Sequence, residues 1–170
     1  MWWDDRGTAD RAAAYLSALG HRRIGYVADR SVRGRLQALR DGAAAHRVDV
    51  LAAAAADRVP EVARVTRSLL SDPHAPTALV YDSAVGAATA LGVAREMAVR
   101  VPRSLSVLAW QDSPLCGLTR RRITAMTCGT GGLGGHAVRV LLALLDHRAV
   151  PSVGDAALRP VHRDSVAPPG

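Results

Sequence analysis

The sequence predicts an α/β fold: a parallel sheet with helices on both faces, its strands joined by right-handed crossovers. Three observations lead there. Apolar runs of strand length recur at Ile24–Ala28, Thr77–Tyr81, Ser104–Trp110 and Ile123–Cys128. Between them lie longer stretches whose apolar residues fall at helical spacing. Proline and glycine punctuate the joints, at Gly20, Pro60, Pro73–Pro76, Pro102 and Pro114. At 170 residues the chain is long enough for one good core and short for two domains.

In order, Asp4-Asp5 can cap a helix whose inner face is Ala9, Ala12, Ala13, Leu16 and Leu19, and Gly20 is its stop. The strand Ile24–Ala28 follows, then a helix from Ser31 to about His46. Val48–Leu51 reads as a strand, while Ala52–Ala56 fits helix or loop equally well. Pro60 suits the first turn of a helix with Val62, Val65, Leu69 and Leu70 inside. After the linker Pro73–Pro76 come the strand Thr77–Tyr81 and a helix over Ala87–Met97. Val101-Pro102 ends that helix, because proline disfavours helical geometry in the residue before it. Ser104–Trp110 is a strand broken by the turn chemistry of Gln111-Asp112-Ser113-Pro114. Ile123–Cys128 is another, His136–Leu145 a helix, and Leu158–Ser165 a last strand before a Pro-rich tail. There is no internal repeat.

The net charge of +7 points on its face to an anionic partner. Yet lysine, asparagine and phenylalanine are all absent, as expected of a GC-rich genome, and the arginines are scattered apart from Arg120-Arg121-Arg122. Phosphate binding normally needs clustered charge, so these arginines read as a solvated face. Cys116 and Cys128 are too few for a disulfide framework and too far apart for a Cys-x-x-Cys site, which leaves free, buried thiols. No apolar run approaches the roughly 20 residues of a membrane span, and Met1–Asp5 has no signal-peptide character, so a soluble cytoplasmic protein is expected. Nucleophile-elbow, zinc-protease and P-loop patterns are missing and the histidines are scattered. No catalytic residue, metal ligand or cofactor is expected.

In open parallel sheets, ligands sit in the crevice beyond the carboxyl ends of the strands. That rule directs attention to Trp110, Gln111, Asp112 and Ser113. Ser31 and Arg35 open a helix, where backbone donors collect and a guanidinium fork can take oxygen in pairs; the plainer reading is a first-turn serine and a solvated arginine. His21, at a helix end, reads as a cap or surface residue. Gly129–Gly134 is formally G-x-G-x-x-G between a strand and a helix, a dinucleotide signature. Only one further strand follows it, and the second strand with its terminal acidic residue is missing.

Val101-Pro102, Leu105-Ser106-Val107, Ala109-Trp110-Gln111-Asp112, Leu118-Thr119 and Ile123-Thr124-Ala125 together resemble the signature of the effector-binding domain of LacI/GalR-type transcriptional regulators. Gly20-His21-Arg22-Arg23-Ile24, Thr77-Ala78-Leu79-Val80 and the closing Leu158-Arg159-Pro160 with Arg163-Asp164-Ser165 extend the likeness to nearly the whole chain. The resemblance implies a periplasmic-binding-protein-like type I fold, mainly its C-terminal lobe. Residues 1–170 would be a partial sensor domain, with 1–20, about 123–145 and 158–165 belonging to or crossing into an incomplete first lobe. The strands of those pieces would then lack sheet partners. The implied effector site is Ser31, Arg35, Ser83, Trp110, Gln111 and Asp112, with Trp110 offering a stacking face. Ser83-Ala84 stand where relatives have Asn-Asp, and Gln111 where they have a first aspartate, so the sugar-binding pattern is altered. The implied protein is a cytoplasmic homodimer that binds a small sugar-like effector and reaches DNA through a headpiece absent from this chain. Two alternatives stand beside it: a nucleotide-dependent enzyme using Gly129–Gly134, and a degenerate module that only dimerises.

Overall fold

The computed structural model describes residues 5–28, 33–55, 58–127, 132–148 and 158–170. Six helices and six strands occur in the order α1 (Asp5–Ala18), β1 (Arg23–Ala28), α2 (Arg33–Ala45), β2 (Asp49–Ala54), α3 (Val59–Leu70), β3 (Ala78–Tyr81), α4 (Ala84–Glu96), β4 (Ser106–Ala109), α5 (Pro114–Leu118), β5 (Thr124–Thr127), α6 (Gly132–Leu145) and β6 (Arg159–Val161). Of the ambiguous alanine run, Ala52–Ala54 join strand β2, an edge position where they are exposed or half covered, and Ala56 lies outside the described residues. Helix α4 begins three residues before the expected Ala87. The Ser83 hydroxyl caps it, accepting the Gly86 N–H at 3.0 Å.

One sheet holds all six strands, in the order β2-β1-β3-β4-β5-β6. β1 to β5 pair in parallel, and β6 closes the far edge antiparallel to β5, with Pro160 opposite Met126. Proline is tolerated there because an edge strand has a side that needs no donor. The expectation that the strands near 123 and 158 lack partners is corrected: β5 and β6 complete this sheet. Helix α1 packs on α2 and β6.

Strand alternation sorts the core onto two faces. On one, Ile24, Tyr26, Val80, Leu108, Trp110 and Met126 pack beneath α1 and α2. On the other, Val27, Leu79, Tyr81, Val107 and Ala125 pack beneath α3 and α4. Gly42 allows α1 and α2 to meet closely, since a Cβ there would lie 2.9 Å from the Asp10 Cα. Helix α6 differs from the others in leaving Val138, Leu141, Leu142, Leu144 and Leu145 exposed.

The C-terminal tail ties down the amino ends of the central strands. Ser165 Oγ donates to the Val107 carbonyl at 2.6 Å and accepts the Thr124 N–H at 2.8 Å. His21 joins the same seam. It is buried, not a surface cap, with Nδ1 2.8 Å from Thr77 Oγ1 and Nε2 3.0 Å from the Ala167 carbonyl. Burial pushes its pKa down, against the opposing effect of the Ala167 bond. The unfolded chain, titrating near the ordinary histidine value of about 6.5, therefore takes up the proton first as pH falls. Stability from this group is complete above that pH and is lost as pH drops toward the lower folded value. The melting temperature is expected to fall between pH 7.5 and 5.5 more steeply for the native chain than for His21→Gln; equal slopes would remove His21 from the acid response.

Candidate functional site

The strand order reverses between β1 and β3, so the crevice of this sheet lies at the carboxyl ends of those two strands and of β4 beside them. Four side chains from separate elements converge there. Tyr26 rises from β1, Asp82 follows β3, Trp110 follows β4, and Arg35 descends from the first turn of α2. The Tyr26 hydroxyl donates to Asp82 Oδ1. Arg35 Nη1 lies 3.5 Å from the same oxygen, while its Nε donates to Asp5 Oδ1 on α1 at 3.0 Å. The guanidinium carbon is 5.8 Å from the centroid of the Trp110 ring, and the Tyr26 and Trp110 rings stand 5.7 Å apart, tilted by 52°. Burial and the Asp82 carboxylate drive the Tyr26 pKa upward, so the phenol stays protonated as a donor.

Of the site residues the resemblance implies, Arg35 and Trp110 lie side by side, and Arg35 is no solvated arginine, with its side chain 12% exposed. Trp110 requires a correction. It is 1% exposed, one face under Arg35 and its edge in the core with Tyr26, so it offers no open stacking surface. Asp112 turns toward β6: its Oδ2 accepts from Arg163 Nη2 at 2.7 Å, and Arg163 Nη1 reaches the Ile123 carbonyl at 2.7 Å. The Asp112 bond raises the Arg163 pKa above its ordinary value. Gln111 is half-buried, its carbonyl facing the Cys116 thiol at 4.0 Å. Ser83 spends its hydroxyl on the α4 cap and, with Asp82, Val27 and Tyr81, lines a hollow of about 20 Å³, room for one water. Ser31 lies outside the described residues, as do Cys128 and Gly129–Gly131 of the glycine-rich loop.

Tyr26, Asp82 and Asp5 escape the sequence reading. Asp82 carries a usable signal, since it is the polar residue ending the apolar run Thr77–Tyr81, where the strand-end rule applies as well as at Trp110. A wider groove of about 970 Å³ lies between α4 and the loops around Val101 and Arg120, floored by Leu91 and Gly92 and rimmed by Arg95, Arg100 and Arg121. It shares no residue with the cluster. Among the described residues no set of three or more His, Cys, Asp or Glu side chains could hold a metal ion, and no helix is long and apolar enough to cross a membrane.

A mostly parallel sheet between two helical layers, with polar side chains gathered at its switch point, is the architecture of an α/β domain whose strand ends can hold a ligand. The chain belongs to the periplasmic binding protein-like domain family, whose pattern it matches over residues 13–166, and it is a LacI-like effector-binding domain. It is 32% identical over 158 residues to an uncharacterized HTH-type transcriptional regulator in the aml 5' region of Streptomyces limosus, covering 86% of this chain and 44% of that protein. It is 28% identical over 156 residues to the arabinose metabolism transcriptional repressor of Geobacillus stearothermophilus, covering 86% and 43%. The crystal structure of a LacI family transcriptional regulator from Bifidobacterium animalis superposes with a TM-score of 0.87 at 28% identity, over 98% of this chain and 63% of that one. The chain therefore spans less than half the length of these two curated relatives. They and the structural neighbour are transcriptional regulators, not enzymes, which sets aside the nucleotide-dependent enzyme.

Proposed function

We propose that this chain is the effector-sensing portion of a LacI-like transcriptional regulator, one that binds a small sugar-like metabolite and controls DNA binding through a helix-turn-helix that residues 1–170 do not supply. The observation that carries the reading is the convergence of Arg35, Asp82 and Tyr26 over Trp110 at the switch point of the sheet. Such a set offers what a polyol needs: a forked cationic donor, a carboxylate acceptor, and an aromatic floor that fixes their positions. The name of the Geobacillus relative, an arabinose metabolism repressor, supports a sugar. Ligand bound here shifts the balance between two states of a cytoplasmic homodimer only to the extent that it binds them unequally.

The test is calorimetric titration of the chain with a panel of neutral sugars. A member that binds is expected to lose at least about tenfold in affinity in Arg35→Ala, the loss of a charge-assisted bond or two. Unchanged affinity in that variant would take Arg35 out of the site. A second reading, a module that only dimerises, draws on the mutual pairing of Arg35 with Asp5 and Asp82, which leaves those groups satisfied without ligand. No thermal shift with any metabolite, together with a dimer by sedimentation, would favour it.

A further inference from the structure

The fold gathers arginines that the sequence keeps apart. The groove of about 970 Å³ beside α4 is bordered by Arg95 in the last turn of α4, by Arg100 and Arg103 ahead of β4, and by Arg120 and Arg121 ahead of β5. All five are exposed. Six other arginines are paired with carboxylates. Among the described residues none of these five is. Asp164 is the one described carboxylate along the groove, and Arg122 already holds it through Nε at 2.9 Å and Nη2 at 3.1 Å.

The groove lies at the amino ends of β4 and β5, away from the Tyr26, Asp82 and Arg35 cluster at the carboxyl ends of the strands. Breaks in the described chain open after β1, β2 and β5, before the antiparallel β6, and before α1, whose Asp5 meets Arg35. None adjoins the segments that line the groove. Scattered arginines read as a solvated face, but arginines drawn from three segments around one hollow supply the clustered charge that phosphate binding needs. Arg95 also suits the negative end of α4, whereas the other four lie outside the helices. Leu91, Val99 and Val101 in the lining offer these guanidiniums no side-chain acceptor. Guanidinium forks take phosphate oxygens in pairs, and here they border the groove in two groups, so an anion charged at two points can engage both.

We propose that this groove is a second binding site, separate from the effector cluster, for a small anion carrying two or more phosphate groups. Arg95, Arg100 and Arg103 supply one set of donors, and Arg120 and Arg121 the other. A single phosphate engages only part of the set and binds more weakly.

The experiment titrates the full chain calorimetrically with inorganic phosphate and with tripolyphosphate, in about 0.05 M salt so that screening stays weak. Tripolyphosphate is expected to bind at least about tenfold more tightly than phosphate. Arg100→Ala/Arg120→Ala, one change from each set, is expected to weaken tripolyphosphate binding by about tenfold or more. Arg95→Ala/Arg121→Ala carries the same expectation, so the outcome does not hang on one variant's folding. Arg40→Ala/Arg64→Ala removes as much charge from exposed positions on α2 and α3 and is expected to change the affinity by less than about threefold. Equal losses in the groove variants and this control would reduce the binding to general attraction by a basic chain and overturn the site. So would equal affinities for phosphate and tripolyphosphate, or no tripolyphosphate binding at about 5 mM, a concentration that detects millimolar affinity. Duplex DNA of arbitrary sequence that binds more tightly than tripolyphosphate, and loses that binding in the groove variants, overturns the assignment to a small anion.

Discussion

Trp110→Ala is expected to lower the unfolding free energy by about 3–5 kcal/mol, the range found when a large aromatic is cut from a packed core. The side chain is 1% exposed and shares its face of the sheet with Tyr26, Leu108, Met126 and the inner residues of α1 and α2. Removing it leaves a cavity under Arg35 as well as lost area, and the tilted contact with Tyr26 goes too. In a chain of this length that loss corresponds to about 6–20 °C in melting temperature. Trp110→Phe, which keeps a ring against Tyr26, should retain most of the stability. The alternative role is separable in the same measurement. An exposed platform for a ligand would cost less than about 0.5 kcal/mol on truncation and would show itself only in binding. A small stability change in Trp110→Ala would therefore overturn the burial argument.

The same residue shows where sequence reading succeeds and where it stops. The strands around Val80, Leu108 and Ala125 are legible because strands covered on both faces read as near-continuous apolar runs, and every residue of these three but Thr127 is buried. The second half of β2 is the contrast: Ala52–Ala54, exposed or half-exposed alanines on an edge strand, have nothing in the sequence to separate them from helix or loop. The general location of the site follows from a strand ending in polar residues, but that rule needs the strand order to choose among strands. The order β2-β1-β3-β4 puts the reversal between β1 and β3, and no local pattern encodes it. Attention thus falls on the residues after β4, while the buried carboxylate after β3, Asp82, passes unnoticed. His21 fails for a related reason: its partners Thr77 and Ala167 are 56 and 146 residues away, so nothing near it in the chain announces burial.

Asp112 and Arg163, 51 residues apart, make the sharpest case. Arg163→Ala is expected to destabilise the protein by about 2–4 kcal/mol, somewhat below the cost of breaking a fully buried ion pair because these side chains remain 18% and 23% exposed. Arg163 holds Asp112 Oδ2 with one arm and the Ile123 carbonyl with the other, so it fastens the turn after β4 to the entry of β5 and to the tail beyond β6. Asp112 Oδ1 is buried without a hydrogen-bond partner among the described residues. Once Arg163 is gone the carboxylate keeps its burial and loses its compensating charge, which is why truncating the cation should cost more than neutralising the acid in Asp112→Asn. A double-mutant cycle of Arg163→Ala with Asp112→Asn, read by urea unfolding, should give a coupling of at least about 1 kcal/mol. If Asp112 instead turned its charge to a ligand, the pattern would invert: Arg163→Ala would leave stability within about 0.5 kcal/mol of native, the coupling would vanish, and only Asp112→Asn would weaken effector binding. Coupling energy and ligand affinity together thus decide whether this carboxylate fastens the sheet or faces the effector.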